Sequence, residues 1–302
     1  MLFVSMTDGS SNVQEPHVIR KLGYGIIVFD DVFHLRNMIS EVRDLVDEIT
    51  ICLQNESYYG VSIDQSVVSY VGKLVEENLV DHIIWFTPKT LHEDMGNHAP
   101  RLVETDKRNF ILDYLQYDCE CSHSMVIDSD EFYCAGDFLQ AKNIIDQHPE
   151  IMVSYCEYVN YYRDYQHVMV WPFRCYVPFI SESGFRFSFK NGSFDKPSDP
   201  TRRYEINDKN VKYAIFNFQT VKMHHLSWIR RDIRKKIDNW SSRKYFDHQI
   251  GLRDRIIDRY ENYKDGQNAI IMFNVPNNEV IVNKLPKQYV KPKYNLLEID
   301  GK

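Results

Sequence analysis

Apolar residues recur with two alternating spacings along the first half of the chain. A repeat of three to four positions, typical of an amphipathic helix, is found at residues 35–46, 67–75 and 108–117. Short apolar runs, typical of buried strands, follow these helices at residues 48–53, 82–87 and 124–127. The alternation predicts an α/β fold with a mostly parallel central sheet flanked by helices, whose ligands bind beyond the carboxyl ends of the strands.

The second half of the chain has a less regular pattern. A helix at 137–147 and a strand at 151–158 continue the alternation, and residues 184–200, rich in Gly, Ser, Pro and Asp, predict a mobile loop. After this loop, the pattern predicts two basic helices, a late strand and an extended arm, at residues 228–240, 252–263, 269–273 and from 284 onward.

Charge is divided unevenly along the chain, whose formal net charge is −7. Residues 200–302 hold 21 Lys and Arg against 12 Asp and Glu, whereas residues 1–199 hold 15 against 31. A basic second half indicates an anionic partner such as nucleic acid or a diphosphate. A solvated helix rich in salt bridges is the alternative explanation.

Nothing in the sequence indicates a membrane segment or a disulfide framework. No apolar run approaches the roughly 18 residues of a membrane span, and the first eight residues lack a basic stretch followed by an apolar run. We therefore expect no membrane span and a cytoplasmic location. No CxxC pair occurs, which favours reduced thiols at Cys52, Cys119, Cys121, Cys134, Cys156 and Cys175.

An acidic motif, Asp128-Ser129-Asp130, follows the apolar run at 124–127. Two carboxylates one residue apart at the end of a strand suit Mg²⁺ or Mn²⁺, and the remaining coordination positions of the cation accept diphosphate oxygens. Such a cation neutralises the charge that develops on a departing nucleoside diphosphate. An acidic turn that binds no metal is the alternative.

The segment 125–132, Met-Val-Ile-Asp-Ser-Asp-Glu-Phe, resembles the strand and acidic motif of GT-A glycosyltransferases, especially the D-x-D-E segment of family 17 and related family 92-like enzymes. Residues 43–51, and 225–228 with Lys236-Ile237, resemble further segments of family 17. The chain departs from that family at Ser242 and Lys244, where a histidine and a glutamate are usual. It also ends its nucleotide-binding strand in Gln54-Asn55 instead of an acidic residue.

The resemblance implies a single GT-A-like (Rossmann-like) domain over residues 1–302. Residues 1–130 would bind the nucleotide sugar, and residues 131–302, with basic helices and a C-terminal arm, would bind the acceptor. The implied activity is metal-dependent, inverting transfer of a sugar from a UDP-sugar to a hydroxyl acceptor, either a glycan or a modified base in viral DNA. The alternative is a non-catalytic GT-A-derived module that binds nucleic acid or another partner.

Candidate roles follow from residue type and position. Donor contacts are expected from Gln54, Asn55, Arg108, Asp128, Ser129 and Asp130. Metal ligands are expected among Asp128, Asp130, His224 and His225, although a structural role is open for either histidine. An inverting transfer needs a general base, for which the candidates are Glu157 and Asp195. Acceptor or anion contacts are expected from Trp171, Arg174, Arg230, Arg231, Arg234 and Lys235.

The basic residues between 230 and 235 need neutralisation if they lie on one helix. Arg230 and Arg234, like Arg231 and Lys235, are four residues apart and would share helix faces, where like charges repel. Either acidic side chains of the same chain or an anionic acceptor would supply the opposite charge.

Overall fold

The computed structural model describes residues 19–88, 99–170, 174–192, 194, 196–206, 210–241, 243, 249–270 and 279–285. Within these residues the chain forms twelve β-strands and six α-helices. The strands are β1 (Leu22–Val28), β2 (Glu48–Gln54), β3 (His82–Phe86), β4 (His123–Asp128), β5 (Glu131–Phe132), β6 (Val153–Tyr162), β7 (Asp164–Val170), β8 (Tyr176–Glu182), β9 (Tyr213–Phe216), β10 (Lys222–Trp228), β11 (Ala269–Ile270) and β12 (Glu279–Lys284). The helices are α1 (Leu35–Val42), α2 (Gln65–Glu76), α3 (Ala99–Tyr117), α4 (Ala135–Gln147), α5 (Ile233–Asn239) and α6 (Leu252–Glu261).

The first four long strands form a parallel unit in the order β3-β2-β1-β4. All seven residues of β1 are buried, because helices cover both faces of the unit. Leu115 of α3 packs on one face of the sheet, and Phe138 of α4 contacts the ring of Tyr24 on the other. This arrangement confirms the α/β prediction, and it brings the ends of β1, β2 and β4 to one edge.

The rest of the sheet is mixed, which corrects the expectation of a mostly parallel sheet. Strand β8 pairs antiparallel with both β4 and β6. Strand β6 also pairs parallel with β9 and β10 and antiparallel with β7. The antiparallel hairpin of β6 and β7 forms because a single residue, Arg163 at φ 67°, turns the chain between them. Of the eleven strand pairings among the described residues, six are antiparallel.

The predicted basic helix at 228–240 is shorter than expected. Residues 222–228 form β10, and α5 begins only at Ile233, because the side chain of Asp232 caps it by accepting from the backbone N–H groups of Arg234 and Lys235. Arg230 and Arg231 therefore precede the helix and do not share its faces.

Three further segments differ from the sequence pattern or extend it. The start of the predicted extended arm, Lys284, is the last residue of β12 and pairs with β7. The predicted loop at 184–200 leads into a 3₁₀ helix at Pro200–Arg202, which Asp199 caps. The predicted helix at 252–263 is α6. None of the helices within the described residues combines the length and hydropathy of a membrane span.

Close packing of α3 on β1 depends on Gly25. A Cβ built at Gly25 would lie 2.2 Å from Cγ2 of the buried residue Ile111, so we expect Gly25→Ala to lower the free energy of unfolding by about 1–3 kcal/mol. Gly72 lies inside α2 and its Cβ would meet no atom within 4 Å, so Gly72→Ala should raise stability by up to about 1 kcal/mol. Denaturant unfolding measures the free energy of unfolding of both variants. Equal changes in the two variants would contradict the packing role of Gly25.

Candidate functional site

A cavity of about 510 Å³ opens at the carboxyl ends of the parallel strands. One wall consists of residues that end or follow these strands: Phe29 and Asp30 after β1, Gln54 on β2, and Asp128 to Glu131 at the end of β4. The opposite wall comes from the second half of the chain, through Arg202, His225 of β10 and Lys236 of α5. The acidic motif therefore lies inside a cavity to which both halves contribute.

The first acid of the motif, Asp128, belongs to a buried ionic network that we call the Asp128 cluster. Its Oδ2 atom accepts hydrogen bonds from Nη2 of Arg108 at 3.0 Å and from Nη2 of Arg202 at 2.5 Å. Arg202 also contacts Glu131, with Nη1 donating to Oε2 at 2.7 Å. Arg108 is fully buried and donates to Glu104 at 2.9 Å. Two arginines therefore contact three carboxylates beneath the cavity.

Within the Asp128 cluster, the pKa values of Asp128 and Glu131 are shifted in opposite directions. Burial opposes the ionisation of Asp128, but Arg108 and Arg202 outweigh it and hold the pKa of that carboxyl well below its usual range. Burial raises the pKa of the Glu131 carboxyl to about 7, against the lowering influence of Arg202. Asp128 is therefore a permanent anion, whereas Glu131 titrates near neutral pH.

The second acid of the motif, Asp130, belongs to a separate network, the Asp130 cluster. Its Oδ2 atom accepts from Nη2 of Arg230 at 2.7 Å. Arg230 also lies 3.3 Å from carboxylate oxygens of both Asp30 and Asp31, which follow β1. Burial opposes ionisation of Asp130, yet His225 and Arg230 outweigh it and lower the pKa of its carboxyl.

Lys236 places a further cation in the Asp130 cluster. Its Nζ atom donates to Oγ of Ser227, and burial, assisted by the charge of Arg230, lowers the pKa of Lys236 to about 8. The ammonium group is thus charged at neutral pH and lies in a cavity that can receive an anion.

His225 presents a lone pair to Asp130. Its Nδ1 atom donates to Oδ1 of Asn160 at 2.6 Å, because that oxygen can only accept, and Nε2 is therefore unprotonated. Burial lowers the pKa of His225 to about 4, so the ring is neutral at physiological pH. Nε2 lies 3.6 Å from Oδ1 of Asp130.

Two neighbouring atoms of the cavity could together bind one cation. Oδ1 of Asp130 and Nε2 of His225 offer an oxygen and a nitrogen ligand, a mixed set that favours Mn²⁺ over Mg²⁺, which takes oxygen ligands. Oδ2 of Asp128 does not fit in this arrangement, because two guanidinium groups already donate to it.

The structure brings most, but not all, of the predicted donor and metal residues to the cavity. Those that line it are Gln54, Asp128, Ser129, Asp130 and His225, together with Arg230 from the predicted anion site. Arg108 does not line the cavity and reaches it through two lining residues, Asp128 and Glu104.

Three predicted residues face elsewhere. His224 points away from the cavity, since its Nδ1 atom contacts the Tyr161 hydroxyl at 2.7 Å. Asn55 donates to Thr87. Glu157 is not among the lining residues, because the strand pleat turns it to the face opposite Tyr158 and Asn160; it accepts from the exposed Arg174 at 3.0 Å. Asp195 and Trp171 lie outside the described residues.

The predicted basic surface is neutralised largely within the chain. Arg234 forms an exposed ion pair with Glu261 of α6, and Arg231 lies over the ring of Phe33. Lys235 is only partly exposed and acts electrostatically on Asp64. Internal neutralisation is thus the better of the two explanations that the sequence left open.

Sequence reasoning missed several residues of the cavity. Asp30 and Asp31 had a local signal, because they end the apolar run 22–29 as the acidic motif ends the run 124–127. Lys107, Asn160 and Arg202 had none, since their burial depends on contacts with distant segments.

A second group of metal-ligand types lies at the other end of the strands. Glu48, His82 and Cys119 each place one ligand atom within 4.8 Å of the others, at the start of β2 and β3 and after α3. Nζ of Lys21 lies 2.7 Å from Oε1 of Glu48. Because this group lies at the strand starts, away from the cavity at the strand ends, we do not assign it to the candidate site.

The fold and the cavity define an α/β protein with a charged ligand site at the carboxyl ends of parallel strands. Comparison of the chain with protein-family models and with curated proteins finds no match in either set.

Proposed function

We propose that this chain is a glycosyltransferase that binds a nucleoside diphosphate sugar, a UDP-sugar, in the cavity and transfers the sugar to a hydroxyl acceptor in an Mn²⁺-dependent reaction. The observation that carries the proposal is the place of the acidic motif. It lies at the end of β4 in a cavity that also receives Arg202, Arg230 and Lys236.

The residues of the Asp130 cluster divide the binding of a diphosphate between them. Arg230 and Lys236 can donate to phosphate oxygens. The three acids of the cluster, Asp30, Asp31 and Asp130, outnumber these two cations, so a diphosphate would bind together with the two positive charges of Mn²⁺. Asp130 and His225 would hold Mn²⁺, which supplies charge neutralisation on the departing diphosphate when bound. Asp30 and Asp31 keep the guanidinium group of Arg230 oriented.

The proposed acceptor is a glycan or another neutral hydroxyl compound, in preference to nucleic acid. Several arginines of the second half are paired internally, as with Arg234 and Glu261 or Arg253 and Asp238. Nucleic-acid binding depends on Lys and Arg that remain available to phosphates.

One observation favours a second candidate function. Both acids of the motif accept arginine hydrogen bonds, so the cavity is electrostatically compensated by the chain alone. A binding module derived from such a transferase would take up a nucleotide in this state and would need neither metal nor turnover.

Donor hydrolysis distinguishes the two candidates. We expect the purified protein to release UDP from one of a panel of UDP-sugars in the presence of Mn²⁺, with release falling to the uncatalysed rate in excess EDTA. Product UDP is quantified by chromatography, with the heat-denatured protein as control. Binding of the UDP-sugar without Mn²⁺ and without any release would favour the binding module, and absence of binding would reject both candidates.

A further inference from the structure

Lys107 is a buried cation whose partners are neutral. It is 4% exposed and lines the cavity from α3. Its Nζ atom donates to Oε1 of Gln54 at 2.6 Å and to the hydroxyl of Tyr58 at 3.1 Å. The carboxylates of Glu104 and Asp128 act on this ammonium group through space, but no ion pair of Lys107 is found among the described residues, whereas buried charges in proteins are normally paired. An ammonium group has three N–H donors, so one is left for a bound molecule.

The neighbouring Gln54 holds Lys107 in place, because both ends of its amide group make hydrogen bonds within the chain. Its Oε1 atom accepts from Lys107, and its Nε2 atom donates to the backbone oxygen of Glu56 at 2.5 Å. The amide predicted to contact a nucleobase is therefore engaged at both ends. Gln54 thereby fixes the position of the Lys107 ammonium group at the cavity.

The position of Lys107 corresponds to the base end of a nucleotide. Gln54 ends β2 and Asp128 ends β4, with β1 between them, and neighbouring strands lie about 4.8 Å apart, so the two strand ends are roughly 10 Å apart across the sheet. When the diphosphate of a nucleotide binds at Arg230 and Lys236, its base can extend toward the end of β2 and Lys107. The rings of Phe29 and Tyr58, which line the same cavity, offer flat surfaces on which a base can stack.

We propose that Lys107 selects the nucleobase of the donor by donating a hydrogen bond to an oxo group on the base, so that uracil is accepted and adenine, which has no oxo group, is rejected. The inference rests on the proposed function, because it takes the diphosphate site at the Asp130 cluster as given. A charged hydrogen bond that one ligand makes and the other cannot make separates their affinities by about tenfold or more.

The test compares the binding of UDP, ADP and inorganic pyrophosphate, each with Mn²⁺, by titration calorimetry. We expect the wild-type protein to bind UDP at least about tenfold more tightly than ADP. Lys107→Met should lower this ratio to less than about threefold by weakening UDP alone, with ADP and pyrophosphate unchanged. Lys73→Met, which removes an exposed lysine that does not line the cavity, should preserve the ratio, and melting temperatures establish that both variants fold.

The remaining outcomes separate the inference from the proposed function. Equal affinities for UDP and ADP in the wild-type protein would overturn the role of Lys107 but leave the diphosphate site in place, and this result needs no variant. A parallel loss of UDP and pyrophosphate affinity in Lys107→Met would overturn it by assigning Lys107 to a phosphate. If none of the three compounds binds to the folded wild-type protein, the proposed function fails together with the inference.

Discussion

Replacing Asp130 by asparagine is expected to lower the affinity for Mn²⁺ by at least about 100-fold, because Asp130 offers the carboxylate ligand that faces His225 and even loss of an outer-shell partner costs 10- to 100-fold. The fold should survive, since Arg230 keeps its contacts with Asp30 and Asp31. The measurement is the rise in melting temperature with UDP and Mn²⁺, which reports binding by mass action.

A matched control for this variant is Asp44→Asn. Asp44 is exposed and does not line the cavity, so its replacement should leave the Mn²⁺-dependent rise in melting temperature unchanged. If Asp130→Asn retained the full rise, the acidic motif would not be the metal site, and the binding module would become the preferred function.

The second large effect concerns stability and is expected for Arg202→Met. Arg202 is 4% exposed and its loss leaves Asp128 and Glu131 without their shared cation, so the free energy of unfolding should fall by about 3–5 kcal/mol. The exposed pair of Arg234 and Glu261 provides the comparison, because Arg234→Met removes a surface ion pair worth about 1 kcal/mol or less. Denaturant unfolding measures both changes.

The loss caused by Arg202→Met should also depend on pH. The pKa of Glu131 is about 7 in the folded protein, above its ordinary value of 4.5, so the folded state binds the extra proton and stability falls as pH rises through this range. Without Arg202 the pKa of Glu131 rises further, and the destabilisation should be larger at pH 8 than at pH 5. Adding Glu131→Gln should remove this difference; a loss independent of pH would contradict the assignment of the charge to Glu131.

The fold was predictable from the sequence where local periodicity decides the structure. Helices α1, α2 and α4 and strands β2 to β4 follow apolar spacings that hold within single segments. Strand β1 was missed because Gly23 and Gly25 weaken its strand pattern, although their small size is what lets α3 approach. Strands β8 to β10 are specified by pairing with β6 across longer sequence distances, which no local pattern reveals.

The candidate site was also predictable only where residues close together in the sequence decide it. The acidic motif and His225 were identified because strand ends and ligand-type residues are visible locally. The separation of Asp128 and Asp130 into two clusters was not predictable, since it is produced by Arg202 and Arg230, 74 and 100 residues further along the chain. The basic surface was overestimated for the same reason, because sequence alone does not show which acids neutralise each arginine.

The long separation between Asp128 and Arg202 has a consequence for synthesis on the ribosome. At 5–20 residues per second, Arg202 follows Asp128 after about 4–15 s. During this interval Arg108 is the cation that pairs with Asp128, and Glu131 lacks the guanidinium group that compensates its burial. Strand β6 likewise cannot complete its strand pairings until β10 has been synthesised. The nascent first half should therefore stay open to proteases and chaperones until about residue 230 has emerged, and the ligand cavity should close late in a single cooperative step.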